Sequence, residues 1–225
     1  MKTSAINKKK SILVVDDHPV VRKSLCEAIN GRQDLFVCGE AASQAQAREM
    51  ILAAPPDLMV LDLSLTDGHS WVLIDRLRAE GKLPPTLVLT VYDESVYVPR
   101  LLKAGVRGYL MKDTPITCIM AAIDRIFAGH IALSDRQASL LIQQATDGNR
   151  KLASPEAELE SLSDRELQVL EALGKGLNNQ QIADLLGVSA KTVGTYKTRL
   201  MEKTGIRTTP ELMQHAQRRL KLPLN

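Results

Sequence analysis

Five short apolar runs alternate with five helical patterns over the first 133 residues, and this alternation constrains the fold more than any other feature. Each apolar run is followed by a segment whose apolar residues recur at helical spacing. Runs without polar alternation are typical of strands buried on both faces of a sheet. We therefore predict an α/β fold with a five-stranded, parallel, doubly wound sheet of the flavodoxin-like kind. The five runs are SILVV, LFVCGE, LMVL, TLVLT and VRGYLM.

The pattern changes after residue 133. SDRQASLLIQQA favours one more helix, and the polar, turn-rich TDGNRKLASPEAELES that follows it is typical of a linker. From Leu162 onward the pattern is helical with no strand signal. The predicted organisation is an α/β domain over 10–133, a linker over 134–160, and an all-α domain over 161–225.

Composition excludes several classes of protein. Aromatic residues make up only 3% of the chain, which argues against stacking platforms for single-stranded nucleic acid. The three cysteines are scattered and form no CxxC pair, so neither a disulfide framework nor a zinc site is indicated. No apolar run approaches the length of a membrane span, and the N-terminus lacks the apolar core of a signal peptide. We expect a cytoplasmic protein that makes no use of a membrane.

Charge is unevenly distributed along the chain. Residues 161–225 contain 10 Lys/Arg and 6 Asp/Glu, whereas residues 1–160 contain 19 and 20. A C-terminal part more basic than the rest indicates a polyanionic partner for that part.

Polar side chains end four of the five predicted strands: Asp16-Asp17, Asp62, Thr90 and Lys112. Ligands of parallel α/β sheets bind beyond the carboxyl ends of the strands. Three carboxylates on one rim would repel each other, and an all-oxygen cluster suits Mg²⁺. With the Lys112 ammonium and the Thr90 hydroxyl, the set would cradle a phosphoryl group, which a carboxylate can accept as a mixed anhydride. We therefore predict that Asp62 is phosphorylated, while the metal and Lys112 neutralise charge on the transferring oxygens.

These residues, at these spacings, resemble the receiver domain of two-component response regulators over roughly residues 10–133. The resemblance implies that Asp62 takes its phosphoryl group from a sensor histidine kinase, with Thr90 and Lys112 contacting the phosphate. It also implies an Mg²⁺ site and two switch residues that rearrange on phosphorylation. The implied metal ligands are Asp16, Asp17, Asp62 and the backbone carbonyl of Ser64, and the implied switch residues are Thr90 and Tyr109.

Some positions depart from the family pattern. Leu65 and Thr66 stand where Met-Pro is usual, Ser70 where Gly is frequent, and Val91 where a smaller residue often follows the threonine. The first three alter a turn rather than the chemistry, and Val91 narrows access for small phosphodonors.

The C-terminal segment has the plan of a helix-turn-helix. Ser163 and Glu166 are spaced as a capping box, and Gly187-Val188-Ser189 forms a tight turn between two helices. The second of these helices offers donors for phosphates and base edges, mostly away from its apolar face. The same pattern also fits a small helical bundle with a charged, solvated face. The donors are Lys191, Thr192, Thr195, Tyr196, Lys197, Thr198 and Arg199.

Residues 162–220 resemble the LuxR-type DNA-binding domain, in the motifs LSDRELQVL, NNQQIADLLGVSAKTV and TYKTRLMEK. A receiver followed by this domain is the NarL/FixJ arrangement, which implies double-stranded DNA as a partner and a homodimer when phosphorylated. Gly194 stands where the family often has a lysine that reaches DNA. The last helix resembles the family's dimer helix, with Leu212, Met213 and Ala216 as candidate contacts.

Two other functions compete with a phosphorylation-controlled transcription factor. A phosphatase of the haloacid dehalogenase type uses a second Asp two residues after its nucleophile, but position 64 is Ser. A ligand-gated activator of the quorum-sensing kind needs an apolar pocket rich in aromatic residues, and it leaves the acidic rim without a role. We therefore expect a regulator and not an enzyme.

Overall fold

The computed structural model describes residues 9–92, 94–146, 158–159 and 161–220. They form two compact units. The first unit runs up to Val91 and continues from Leu101 to Ser134, and the second combines Tyr92–Arg100 with the residues from Asp135 onward. Residues 147–157 of the predicted linker lie outside the described residues, whereas its first part is a helix, as SDRQASLLIQQA indicated.

Seven strands and six helices are described up to residue 146. In chain order they are β1 (Lys10–Val15), α1 (Pro19–Asn30), β2 (Leu35–Ala41), α2 (Gln44–Ala53), β3 (Leu58–Leu61), β4 (Ser64–Leu65), β5 (Gly68–His69), α3 (Trp71–Ala79), β6 (Thr86–Thr90), α4 (Glu94–Lys103), β7 (Gly108–Met111), α5 (Ile116–Phe127) and α6 (Asp135–Thr146).

The first unit is built on a parallel sheet with the strand order β2-β1-β3-β6-β7. Val14 of β1 pairs with Val60 of β3, and both side chains are buried. The apolar runs of β3 and β6 form central strands that are buried on both faces, whereas β2 lies at the edge of the sheet and alternates buried or half-buried residues with exposed ones, such as Phe36. The predicted doubly wound fold is confirmed.

A short antiparallel hairpin follows β3, and it was not predicted. Its strands, β4 and β5, have two residues each. Gly68, with φ of +125°, makes the turn possible, since other residues rarely adopt this conformation. Asp67 in the same turn accepts hydrogen bonds from the backbone N–H groups of Gln44 (2.9 Å) and Ala45 (3.1 Å). The hairpin is therefore tied to the first turn of α2.

The second unit contains four further helices: α7 (Asp164–Gly174), α8 (Asn179–Leu186), α9 (Ala190–Thr204) and α10 (Thr209–Leu220). The predicted capping box of Ser163 and Glu166 begins α7. Gly187 ends α8 with φ of +64°, and Ser189 caps α9 by accepting from the backbone N–H of Thr192. Helices α8 and α9 therefore have the predicted helix-turn-helix connection.

Two residues of α4 contact α7 and the residues that precede it inside this unit. Arg100 binds the Asp164 carboxylate at 2.6 Å and donates to the carbonyls of Leu159 and Leu162, both at 2.7 Å. The Tyr97 hydroxyl donates to Glu171 Oε2 at 3.2 Å. These contacts join residues 59 to 74 positions apart in the sequence.

The expectation for the last helix is partly wrong. Leu212 and Ala216 are fully buried, and α10 packs against α7, so these two side chains belong to the core of the unit and not to a dimer surface. Met213 is half-buried, and its role in a dimer stays a prediction.

None of the helices in the described part of the chain is long and apolar enough to cross a membrane.

Candidate functional site

Two carboxylates and one ammonium meet at the carboxyl ends of β1, β3 and β7. Lys112 Nζ lies 2.7 Å from Asp62 Oδ2 and 2.8 Å from Asp16 Oδ2. The side chains of Asp16 and Asp62 are 3% and 2% exposed. Buried charges persist in proteins only when they are paired, and here one ammonium neutralises two carboxylates.

Backbone hydrogen bonds that extend the sheet ladder hold these side chains in place. The N–H of Asp62 donates to the Val15 carbonyl at 2.8 Å, and the N–H of Lys112 donates to the Thr90 carbonyl at 2.8 Å. Each functional residue therefore follows its strand directly. The strand register fixes which side chains meet at the rim.

The surroundings of Asp62 and Lys112 affect the charge of the two side chains differently. Burial raises the pKa of Asp62 above its ordinary value of 3.8, and the nearby Asp16 charge adds to the effect, although Lys112 opposes both. Burial alone would lower the pKa of Lys112, but its hydrogen bonds to Asp16 and Asp62 outweigh burial and raise it. Lys112 therefore stays charged, while one more positive charge near Asp62 would relieve the cost of its ionisation.

The donor set fits a divalent cation. Ligand atoms of Asp16, Asp17, His18 and Asp62 lie within 4.8 Å of one another. Asp17 Oδ1 is buried and has no hydrogen-bond partner among the residues that the structure describes. A hard cation such as Mg²⁺ takes oxygen ligands of this kind. His18 was not among the predicted site residues, because its approach to the carboxylates depends on the placement of its side chain.

Thr90 is positioned for a further polar contact. Its side chain is fully buried, and its hydroxyl oxygen has no hydrogen-bond partner within the described part of the chain. A buried hydroxyl without a partner costs free energy unless a ligand satisfies it. Tyr109, the predicted switch residue, is also buried, at 1% exposure. Val91, which follows Thr90, is 54% exposed at the surface.

Ser64 meets the cluster through its backbone. Its N–H donates to Asp62 Oδ1 at 3.3 Å, within the hairpin that follows β3. Ser70 supports the same residue, since its hydroxyl donates to the Asp62 carbonyl at 2.5 Å. A glycine, which is frequent at position 70 in the family, could not make this bond.

The predicted DNA-contacting residues lie on α9, and they do not all share one face. A shallow cavity of about 310 Å³ is lined by five of them together with Ser189. Lys197 lies elsewhere, with its Nζ 3.1 Å from Asn179 Oδ1. Thr198 is exposed, and its hydroxyl donates to the Gly194 carbonyl at 3.2 Å. The five that line the cavity are Lys191, Thr192, Thr195, Tyr196 and Arg199.

The polar face of α9 opposes its apolar face, as predicted. Val193 and Leu200 are fully buried, whereas Lys191, Thr195 and Arg199 are exposed one turn apart. Residues four apart lie on the same side of a helix. Lys191, Thr195 and Arg199 thus form a polar stripe with two positive charges, which we call the α9 stripe.

Comparison with known proteins decides the family. Residues 12–124 match the response regulator receiver domain, and residues 160–216 match the bacterial regulatory proteins of the luxR family. The chain is a two-component response regulator of the NarL/FixJ type. As a response regulator with a helix-turn-helix domain, it belongs to a class of transcription factors and not of enzymes.

Individual relatives extend over nearly the whole chain. The oxygen regulatory protein NreC of Staphylococcus aureus (strain MRSA252) is 32% identical over 208 residues, which cover 91% of this chain and 95% of that protein. RcsB from Salmonella enterica serovar Typhimurium, bound to promoter rprA, matches with a TM-score of 0.71 at 20% identity over 93% of this chain and 98% of its own. At that identity the match shows the fold alone.

A third relative is a LuxR-family two-component response regulator from Aurantimonas sp. SI85-9A1. It matches with a TM-score of 0.56 at 28% identity, over 61% of this chain and 99% of its own.

Proposed function

We propose that Asp62 is the phosphoryl acceptor of this response regulator and that a sensor histidine kinase in the cytoplasm is the donor. The observation that carries the assignment is the Lys112 ammonium, which lies within 2.8 Å of both Asp62 and Asp16 at the ends of three strands. Among the described carboxylates, Asp62 combines burial at the sheet rim with this contact and with a Ser64 N–H on its other oxygen.

The transfer is a substitution at phosphorus. An Asp62 carboxylate oxygen forms the new O–P bond as the N–P bond of the donor phosphohistidine breaks, and the imidazole nitrogen keeps the electron pair. Lys112 Nζ would neutralise charge on the phosphoryl oxygens, and the Thr90 hydroxyl, which has no hydrogen-bond partner among the described residues, would donate to one of them. Asp16, Asp17, Asp62 and the Ser64 carbonyl would hold Mg²⁺, which would supply further charge neutralisation.

The second half of the proposal concerns DNA. The α9 stripe, with Tyr196 and Thr192 beside it, lies on the second helix of the helix-turn-helix, which enters the major groove in this class of motif. Phosphorylation is proposed to favour a homodimer, so that two such helices meet two half-sites. The basic balance of the C-terminal part supports a polyanionic partner.

The test is direct phosphorylation. Incubation with a phosphorylated kinase and Mg²⁺ should give a label that is stable in acid and labile to base and hydroxylamine, the signature of an acyl phosphate. Asp62→Asn should abolish the label, because the amide is not a nucleophile for phosphoryl transfer. Asp67→Asn, five residues away on the surface, is the matched control and should keep it. Label that survives Asp62→Asn would remove the assignment.

A further inference from the structure

Ser70 is a buried serine whose hydroxyl binds the backbone of Asp62. The side chain is fully buried, and its hydroxyl donates to the Asp62 carbonyl at 2.5 Å. The N–H of Ser70 donates to the next carbonyl along the chain, that of Leu63, at 2.8 Å. One residue therefore binds two consecutive carbonyls after β3 and closes residues 62–70 into a loop, which we call the 62–70 loop.

The Ser70 hydroxyl does not have the role that a serine usually has at such a position. Ser70 is the residue before α3, where a serine side chain commonly accepts from a backbone N–H of the first turn. Here the side chain makes no cap hydrogen bond, and the backbone is already helical, with φ of −64° and ψ of −4°. The contribution of the hydroxyl is therefore its bond to the Asp62 carbonyl.

This bond holds the backbone of Asp62 from a second side. The Asp62 N–H donates to the Val15 carbonyl of β1 at 2.8 Å. Ser70 is itself anchored, because its carbonyl accepts from the N–H of Ile74, a fully buried residue of α3. With its N–H bound to the sheet and its carbonyl bound to the start of a helix, Asp62 has little freedom to rotate. The direction of its carboxylate depends on that backbone.

The 62–70 loop lacks one restraint at its turn. Thr66 and Asp67 form the two-residue turn between β4 and β5. A proline at position 66, which is usual in the family, would fix the φ angle there, whereas threonine leaves it variable. The same loop contains Ser64, whose carbonyl is a proposed ligand of the cation. The shape of the loop therefore decides where that carbonyl lies.

We propose that Ser70 is a positioning residue for phosphoryl transfer, because its hydroxyl holds the backbone from Asp62 to Ser64 in the geometry that the transfer requires. The inference rests on the proposed function, in which Asp62 accepts the phosphoryl group and the Ser64 carbonyl binds the cation. The hydroxyl compensates for the proline that the turn lacks. Misplacing a reacting group by about 1 Å can slow a reaction by on the order of 100-fold. Removing the hydroxyl should therefore slow the transfer in a chain that remains folded.

The experiment measures the phosphorylation of the full chain by phosphoramidate at saturating Mg²⁺, followed as the acyl phosphate. Ser70→Ala removes one oxygen atom at a position whose helical backbone suits alanine, and it should lower the maximal rate by on the order of tenfold. Ser11→Ala is the matched control. The Ser11 hydroxyl donates to the Asp57 carboxylate at 2.9 Å near the amino ends of β1 and β3, away from the rim. Its loss should lower the urea midpoint and leave the maximal rate unchanged.

A second substitution tests how the hydroxyl acts. Thr66→Pro adds a restraint at the turn, since proline fits the first position of a turn and Leu65 before it is extended. Ser70→Ala should cost less in the Thr66→Pro chain than in the parent, because the two restraints act on the same loop. An equal loss in both backgrounds, or an unchanged maximal rate in Ser70→Ala, would overturn the inference and leave Asp62 as the acceptor. If neither phosphoramidate nor a kinase phosphorylates Asp62 in the parent, the proposed function fails together with the inference.

Discussion

At the scale of single residues, the rim of the sheet places negative charges close together at a cost in stability. Asp62 is buried between Asp16 and the Ser64 backbone, and Lys112 is shared with Asp16. One cation serves two carboxylates. The fold therefore carries an ionised Asp62 that the unfolded chain would hydrate freely. The same arrangement makes the site receptive to a cation and a phosphoryl group.

We predict that Asp62→Asn stabilises the first unit at neutral pH in the presence of EDTA. Burial raises the folded pKa of Asp62 above the ordinary value of 3.8, so ionisation opposes folding. This cost is absent when the carboxyl is protonated in both states. It grows as the pH rises from below 3.8 through the raised folded pKa. The advantage of the Asn variant should therefore be small at pH 3 and largest at pH 7.

Trp71 makes this measurement possible in the full chain. It is the one tryptophan of the sequence and is 4% exposed within the first unit, so its fluorescence follows the unfolding of that unit. Urea midpoints for the two proteins at several pH values give the comparison. Saturating Mg²⁺ should cancel the advantage by stabilising the parent alone. A difference that does not vary with pH would contradict the prediction.

At the scale of elements, the sequence predicted the strands and helices closely and the contacts between distant segments poorly. β6 and α1 have the predicted bounds because an apolar run, a helix-starting Pro19 and a helix-ending Gly31 are local signals. The β4–β5 hairpin was missed since two-residue strands carry no periodicity. The rim residues were predicted because they follow their strands directly.

Other features depend on packing that no local pattern contains. His18 was missed because its contact with Asp17 depends on side-chain placement. The bonds from Arg100 to Asp164 and to two carbonyls join distant parts of the chain. Leu212 and Ala216 have the apolar spacing expected of either a core face or a dimer face, and only the packing against α7 distinguishes the two.

The capping box of α7 provides the prediction at this scale. Burial would raise the pKa of Glu166, but Lys203 Nζ at 2.6 Å and the Ser163 N–H at 2.7 Å outweigh it and lower the pKa below the ordinary 4.5. The resulting stabilisation is present above pH 4.5 and is lost as the pH falls through the folded pKa. Glu166→Gln keeps a capping side chain but removes the charge.

Glu166→Gln should cost about 1–2 kcal/mol at pH 7 and little at pH 3. Amide hydrogen exchange over α7 and α9 is the suitable measurement, because a melt of a chain with two units need not be a single transition. Exchange should be roughly 5- to 30-fold faster in the variant at pH 7. Glu202→Gln, which changes an exposed carboxylate on α9, is the control. Equal exchange in Glu166→Gln and the parent would show that the ion pair with Lys203 is not stabilising.

At the scale of the whole molecule, the proposed function requires phosphate at one site to change the affinity for DNA at another. Phosphorylation of Asp62 would add roughly one to two negative charges next to Lys112 and the Thr90 hydroxyl, which has no hydrogen-bond partner among the described residues. If Lys112 and Thr90 move toward the phosphate, Tyr109 can repack. That repacking would favour a conformation that forms a dimer. One helix-turn-helix meets one half-site, whereas a pair meets two about one turn of DNA apart. Dimerisation would therefore convert a local charge change into affinity.

We predict that the affinity of the full chain for a two-half-site DNA, selected from genomic fragments, rises with phosphorylation and falls steeply with salt. Lys191 and Arg199 of the α9 stripe displace counterions from the phosphate backbone when they bind. Lys191→Ala should weaken binding to all sequences alike and reduce the slope of log affinity against log salt by about one for each bound copy. Lys23→Ala removes the same charge from the exposed surface of α1 and should leave the slope unchanged. Titrations of the three proteins, with and without phosphorylation at several salt concentrations, make the comparison. Equal affinity in both phosphorylation states would mean that the phosphate acts on a step other than DNA binding, and an unchanged slope in Lys191→Ala would mean that the α9 stripe does not face the phosphate backbone.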